Sequence, residues 1–295
     1  MARVIPFSKK CKYLAEAVLA YVIYGALRVL PLDAASATGG AVLKFIGPRT
    51  GVSRVALKNL DLAFPEKTAE EKRKIVVGMW ENLGRILAEY PHLHRMAPRI
   101  ELIGAEYVEA ARLSGKPKVF FAGHLGNWEI NGICSQAQGL PLHLVYRKPN
   151  NPYVDKLLRQ ARAMGEGGSY IEKGATGARA IRSVFKNNGV IAMLVDQKLN
   201  NGVAIPFFGH DAMTAPAIAH FALKFDMPVY PSRVERLKGA HFRVTVFPPL
   251  AIAATGDQEA DTREILITMN RYLEDWIRAR PEQWLWTHKR WPDSI

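Results

Sequence analysis

A histidine placed where an apolar run meets a glycine-flanked turn is the residue of this chain best suited to acid–base chemistry. His124 follows Val119-Phe120-Phe121-Ala122 within the segment Gly123-His124-Leu125-Gly126-Asn127-Trp128-Glu129. In α/β sheets ligands meet the carboxyl ends of strands, and a neutral imidazole there can take a proton from a hydroxyl. Glu129 lies five positions further on. On one continuous helix that spacing turns the two side chains roughly 140° apart. They therefore meet only if His124 sits in the turn and Glu129 in the first helical turns. Gly123 and Gly126 permit such a turn. The pair then reads as a base and the carboxylate that orients it, without a nucleophile from the protein. On spacing alone, a histidine bonded to a loop carbonyl and a solvated acid at a helix start fit as well.

Other chemistries find less support. The chain has no G-x-S-x-G elbow and no H-E-x-x-H. Its two cysteines, Cys11 and Cys134, stand in neither a CxxC nor a Cys/His spacing, which argues against a disulfide framework and a zinc ribbon. Cys134, after Ile130 and Ile133, reads as core. His92 and His94 form an H-x-H pair that suits a metal, but beside Pro91 a surface loop explains them better. No metal and no cofactor is expected.

The elements that must position His124 alternate between two periodicities. Thr68, with Glu71 three residues on, starts a helix whose Ile75, Met79, Leu83, Ile86 and Leu87 share one face and which ends at Pro91. Apolar runs at 117–123, 142–146, 190–195, 227–234 and 242–247 read as strands, with Phe242, Val244 and Val246 on one face of the last. Helices are expected between the first two strands, over 151–164, and over 262–278, where Leu266, Met269, Leu273 and Trp276 form a stripe. This order predicts an α/β sandwich with a mostly parallel sheet, in one domain over 61–295. Thr214 is placed to cap a helix entering at Ala215-Pro216-Ala217. Phe207 and Phe208 read either as core or as the lining of an apolar groove.

At 295 residues, 48% hydrophobic and 23% charged, the chain has globular composition, neither disordered nor a multi-span membrane bundle. Its net charge of +13 suits nucleic acid, an anionic membrane or an acidic substrate. Residues 1–60 hold nine basic side chains (Arg3, Lys9, Lys10, Lys12, Arg28, Lys44, Arg49, Arg54 and Lys58) against two acidic ones, Glu16 and Asp33. Within them Leu14–Leu30 is almost wholly apolar. As a helix it measures roughly 26 Å against the roughly 30 Å of a bilayer core. An N-terminal membrane-anchor helix, spanning or half-buried, is the expected reading. A cleaved signal peptide ending at Ala35-Ser36-Ala37 and a buried core helix are the alternatives. The remaining basic residues are dispersed and match no nucleic-acid module.

His124-Leu125-Gly126-Asn127-Trp128-Glu129 resembles the H-x-x-x-x-D/E motif of glycerolipid acyltransferases. The blocks that follow, VYRKPNNPYVDKLLRQAR, MLVDQK, NNGVAIPFFG and PEQWLWTHKRW, are similar in order to those of the bacterial lipid A biosynthesis lauroyl/myristoyl acyltransferases, over roughly residues 15–292. The resemblance implies transfer of a fatty acyl chain from an acyl carrier protein thioester to a hydroxyl of a lipid A precursor, at the cytoplasmic face of the inner membrane. It assigns His124 as general base and Glu129 as its orienting carboxylate. It also carries over Arg162 and Asp196 as further functional polar positions. Arg147 is suited to phosphate, while Arg162 also fits a surface ion pair and Asp196 a helix or turn cap. Backbone N–H groups near Gly126 and Asn127, or a guanidinium, would stabilise an oxyanion. Two other functions stay open: an acyl-CoA-dependent acyltransferase acting on another anionic or glycosylated lipid, and a non-catalytic protein that holds anionic lipid.

Overall fold

The computed structural model describes residues 6–162 and 168–292. Met164, at the end of one expected helix, and Arg3 lie outside them. Helices α1 (Phe7–Val29), α2 (Leu32–Ile46), α3 (Ser53–Ala63) and α4 (Ala69–Glu89) precede the first strand, β1 (Ile100–Ile103). There follow α5 (Ala105–Leu113), β2 (Lys118–Ala122), α6 (Ile130–Ala137), β3 (Leu142–Tyr146), α7 (Pro152–Ala161) and β4 (Ser169–Glu172). The second half holds α8 (Ala175–Lys186), β5 (Val190–Leu194), the hairpin β6 (Val203–Phe207) and β7 (His210–Thr214), α9 (Ala217–Phe225), β8 (Val229–Arg236), β9 (Phe242–Val246) and α10 (Gln258–Ala279).

Seven strands form one sheet in the order β1-β9-β8-β2-β5-β3-β4. All neighbours run parallel except β8 and β9. The expected mostly parallel sheet is therefore present. Every residue of β2 is buried, as befits a strand covered on both faces. Helix α4 begins as its residues dictate: the Thr68 hydroxyl accepts from the Glu71 N–H, and Glu71 accepts from the Thr68 N–H in return. Phe121 of β2 stacks on Trp276 of α10, with ring centroids 6.0 Å apart.

Phe207 and Phe208 belong to the core. They pack with Phe64, Trp284 and Trp291. Thr214 caps no helix, because its hydroxyl donates to the Ala212 carbonyl and accepts from the buried Arg290.

The N-terminal segment departs from its simplest reading. No helix among the described residues is long and apolar enough to cross a membrane. Helix α1 lays one stripe, including the buried Tyr13 and Ala17, against the body, and the Asn151 side chain donates to the Tyr13 carbonyl at 2.8 Å. Leu14, Val18, Leu19, Val22 and Ile23 stay exposed, as do Val42, Phe45 and Ile46 on α2. The small residues Ala35-Ser36-Ala37, read from sequence as a possible cleavage site, lie within α2, where Ala35 and Ser36 are fully buried. The Ser36 hydroxyl donates to Glu89 of α4 at 2.7 Å. Their size serves helix contact: α2 and α4 cross so closely that a Cβ on Gly84 would collide with the Gly39 carbonyl. Residue 60 falls inside α3, whose Ala56, Leu60 and Ala63 are part of the core.

Candidate active site

Strands β2 and β5 pair in parallel with Ala122 opposite Leu194. Two residues beyond each of these, the chains leave the sheet side by side, and His124 faces Asp196. The His124 Nδ1 lies 2.7 Å from Asp196 Oδ1, and the His124 backbone N–H donates to Oδ2 at 2.7 Å. The Trp284 indole donates to the same oxygen at 2.6 Å. Burial opposes charge on Asp196, but the His124 ring and these donors outweigh it and hold the carboxyl far below its ordinary range. A carboxylate only accepts, so Nδ1 carries a ring hydrogen, and in the neutral ring the lone pair is on Nε2. The Trp128 ring meets His124 edge-on at 5.0 Å.

Glu129 is not the carboxylate on the His124 ring. It accepts from the Tyr90 hydroxyl at 2.7 Å, from the Trp128 indole at 3.1 Å and from Arg162 Nε at 2.8 Å, with Arg162 Nη2 also in contact. The reason is local. Helix α6 starts only at Ile130, and the turn before it aims Glu129 toward the end of α7 rather than back at the strand exit. Burial alone would lower the Arg162 pKa, yet the Glu129 carboxylate raises it above the usual guanidinium value. Burial and Glu129 together push the Tyr90 phenol well up, so it remains a donor. The pair supports Trp128, which in turn packs on His124.

A cavity of about 370 Å³ opens on the His124 face. Phe120, Leu142, Leu144, Ala192 and Val244 give it apolar walls, and Arg147 and Lys173 stand exposed on its lining. A second cavity, of about 1020 Å³, lies between α1, α6 and α7, and Glu129, Leu144, Arg162 and Tyr170 line both. The candidate residues His124, Glu129, Arg147 and Arg162 thus converge on the first cavity, and Asp196 is buried behind His124.

Three residues not singled out from sequence complete the site. The Gln197 side-chain nitrogen lies 3.3 Å from His124 Nε2 and 2.8 Å from His288 Nε2. His288 and Trp284 arrive from the segment after α10, whose Asn59-bonded carbonyls at Trp286 and His288 fix its path. Burial lowers the His288 pKa, helped by His124, Lys173 and Arg147, which keeps its ring an acceptor. The one sequence signal for these residues is the likeness of the MLVDQK and PEQWLWTHKRW blocks.

His92 and His94 do not converge: His92 is buried and bonded to the Leu27 carbonyl at 3.0 Å, whereas His94 is exposed. Among the described residues no group of three or more His, Cys, Asp or Glu is placed to hold a metal ion. The buried Cys134 thiol is pushed up to about 11 by burial, which leaves it unreactive.

The turn itself depends on Gly126, at φ +56°, where a Cβ would stand 2.8 Å from the Val234 carbonyl oxygen. Gly126→Ala is expected to cost about 1–3 kcal/mol through this strain and to displace His124. A lowered melting temperature together with reduced activity per folded molecule is the expected result. Wild-type values for both would show that the turn tolerates a side chain.

Residues 4–293 match the family described as bacterial lipid A biosynthesis acyltransferase. The chain is 26% identical over 265 residues to the lipid A biosynthesis lauroyltransferase of Escherichia coli, covering 85% of this chain and 82% of that protein. It is 25% identical over 248 residues to the E. coli lipid A biosynthesis myristoyltransferase, covering 80% and 74%. With the lipid A biosynthesis acyltransferase of Haemophilus influenzae it shares 22% over 241 residues, covering 78% and 73%. A match over nearly the whole length shows that the chain belongs to the bacterial lipid A biosynthesis acyltransferase family.

Proposed function

We propose that this protein transfers a fatty acyl chain from an acyl carrier protein thioester to a hydroxyl of an anionic lipid A precursor, at the cytoplasmic face of the inner membrane. The His124–Asp196 pair carries this reading, because its Nε2 opens onto an apolar cavity. The acceptor hydroxyl bonds to Nε2. As its oxygen attacks the thioester carbonyl carbon, its proton passes to Nε2, and Asp196 balances the imidazolium. The tetrahedral intermediate then collapses: the C–S bond breaks, the acyl–oxygen bond remains, and the departing thiolate takes the proton from Nε2. The apolar walls hold the alkyl chain and exclude the water that would hydrolyse the thioester.

Charge and surface support the proposed substrates. Arg147 and Lys173, on the lining, would attract phosphate groups. The exposed apolar residues of α1 and α2, with Lys9, Lys10, Lys12, Lys44 and Arg49 nearby in sequence, suit helices lying in a membrane interface beside anionic headgroups.

The test is acyl transfer by purified protein, offered carrier-protein and coenzyme A thioesters with phosphorylated and dephosphorylated acceptors. Transfer from the carrier protein, faster to the phosphorylated acceptor and weakening in apparent affinity as salt rises, is expected. Exclusive use of coenzyme A thioesters would replace the donor in this reading, and equal turnover of the dephosphorylated acceptor would remove the anionic requirement. No transfer from any thioester would overturn the reading.

A further inference from the structure

Attack on a thioester carbonyl leaves negative charge on its oxygen, and a donor fixed in advance where that charge appears lowers the barrier. The donors expected from sequence are bonded elsewhere or lie off the cavity. The Gly126 N–H donates to the Gln283 carbonyl at 3.1 Å, and the His124 N–H to Asp196. Asn127 is fully buried and does not line the cavity. The Arg162 guanidinium is held by Glu129 and Tyr90.

Gln197 is placed differently. It follows Asp196 at the carboxyl end of β5 and lines the cavity. Its amide nitrogen carries two hydrogens and has two imidazole acceptors, His288 at 2.8 Å and His124 at 3.3 Å. The shorter bond anchors the amide. The longer one must be given up once an acceptor hydroxyl occupies His124 Nε2, and that frees one N–H inside the cavity.

We propose that Gln197 is a catalytic residue whose freed amide N–H donates to the oxyanion, and that His288 is the positioning residue that holds the amide in place. The inference rests on the acyl-transfer reading above. A reacting hydroxyl lies about 3 Å from its base and the acyl carbon about 3–3.5 Å from that oxygen before attack. The carbonyl oxygen then comes within reach of a donor only 3.3 Å from the base nitrogen. As the acceptor oxygen bonds to the acyl carbon, the carbonyl π pair moves onto oxygen and Gln197 donates to it without losing its proton. When the C–S bond breaks, the pair returns and the donation weakens. His288 is itself pinned from outside the cavity, because the Asn59 amide donates to its carbonyl at 2.6 Å and the Leu285 N–H donates to the His124 carbonyl at 3.2 Å.

The experiment measures kcat and KM per folded molecule for Gln197→Met, His288→Ala, His288→Gln and the double variant Gln197→Met/His288→Ala, with melting curves and His124→Ala alongside. Methionine keeps the length of Gln197 without a donor. Gln197→Met is expected to lose about 10²–10³-fold in kcat with KM nearly unchanged, because the bond forms only as charge develops. His288→Ala should lose less, and His288→Gln, whose amide oxygen can accept the same N–H, should recover most of that loss. The double variant should be no worse than Gln197→Met, since His288 acts only through that amide.

Near-wild-type kcat in Gln197→Met, with His124→Ala inactive, would leave the acyl-transfer reading standing and overturn the oxyanion assignment. A loss confined to KM would also overturn it. A further drop of more than tenfold in the double variant would overturn the positioning role of His288. Absence of transfer by the unsubstituted protein would instead remove the reading on which the inference rests.

Discussion

Asp196→Asn is expected to lower acyl transfer per folded molecule by about 10²–10⁴-fold, close to the loss from His124→Ala. The carboxylate accepts from the His124 ring, the His124 backbone and the Trp284 indole at once, so an amide at this place turns one acceptor into a donor. With an N–H presented to Nδ1, the ring must move its hydrogen to Nε2, and the base is lost without any loss of shape. The double variant His124→Ala/Asp196→Asn should be scarcely worse than His124→Ala, because residues that act as one unit are not additive. Glu129→Gln should cost less in kcat than either, since it reaches His124 only through Trp128. The measurement is turnover alongside a melting curve. Near-wild-type turnover by folded His124→Ala would remove the base. An active Asp196→Asn beside an inactive, fully stable Glu129→Gln would restore the pairing first read from the sequence.

The largest expected change in stability lies behind the site. Arg236 and Glu89 form a buried pair, 8% and 0% exposed, in which Glu89 also accepts from Ser36 and Asn127 and Arg236 Nε donates to Asn82 at 2.8 Å. Arg236→Met leaves the buried Glu89 carboxyl without its cation, at a cost of about 3–5 kcal/mol. Replacing both, as Arg236→Met/Glu89→Leu, should recover much of that loss, because the pair's own desolvation is then no longer incurred. Urea unfolding reads both effects. A change below about 0.5 kcal/mol in Arg236→Met, the ordinary range for a surface substitution, would show that the pair bears no structural weight. Since Asn127 ties the 124–129 turn to Glu89, activity should fall with stability.

His124 was legible because a wholly apolar strand ends in a glycine-flanked turn, a local pattern. Its partner was not. Sequence proximity pointed to Glu129, whereas the true neighbour is 72 positions away and is delivered by strand register, which no local pattern encodes. The five apolar strands were visible, but β1 (Ile-Glu-Leu-Ile) and β4 (Ser-Tyr-Ile-Glu) are short, half-polar edge strands and escaped notice. The two-sided character of α1 was hidden too. Tyr13 and Ala17 face protein while Leu14 and Val18 face outward, and both faces are apolar, so hydropathy alone reads them as one run. Small residues in α2 resembled a processing signal because close helix crossing selects the same residue sizes.

The segment that carries Trp284 and His288 joins the sheet from beyond α10, and Leu125 bridges directly to Trp284. During synthesis the sheet, the cavity and His124 therefore emerge from the ribosome before the residues that finish them. A nascent chain stalled short of Trp284 leaves Asp196 without its indole, Gln197 without His288 and the core without Trp284, Trp286 and Trp291. Translation order thus sets an order of assembly, in which the strands and His124 are made before the segment that supplies Trp284 and His288.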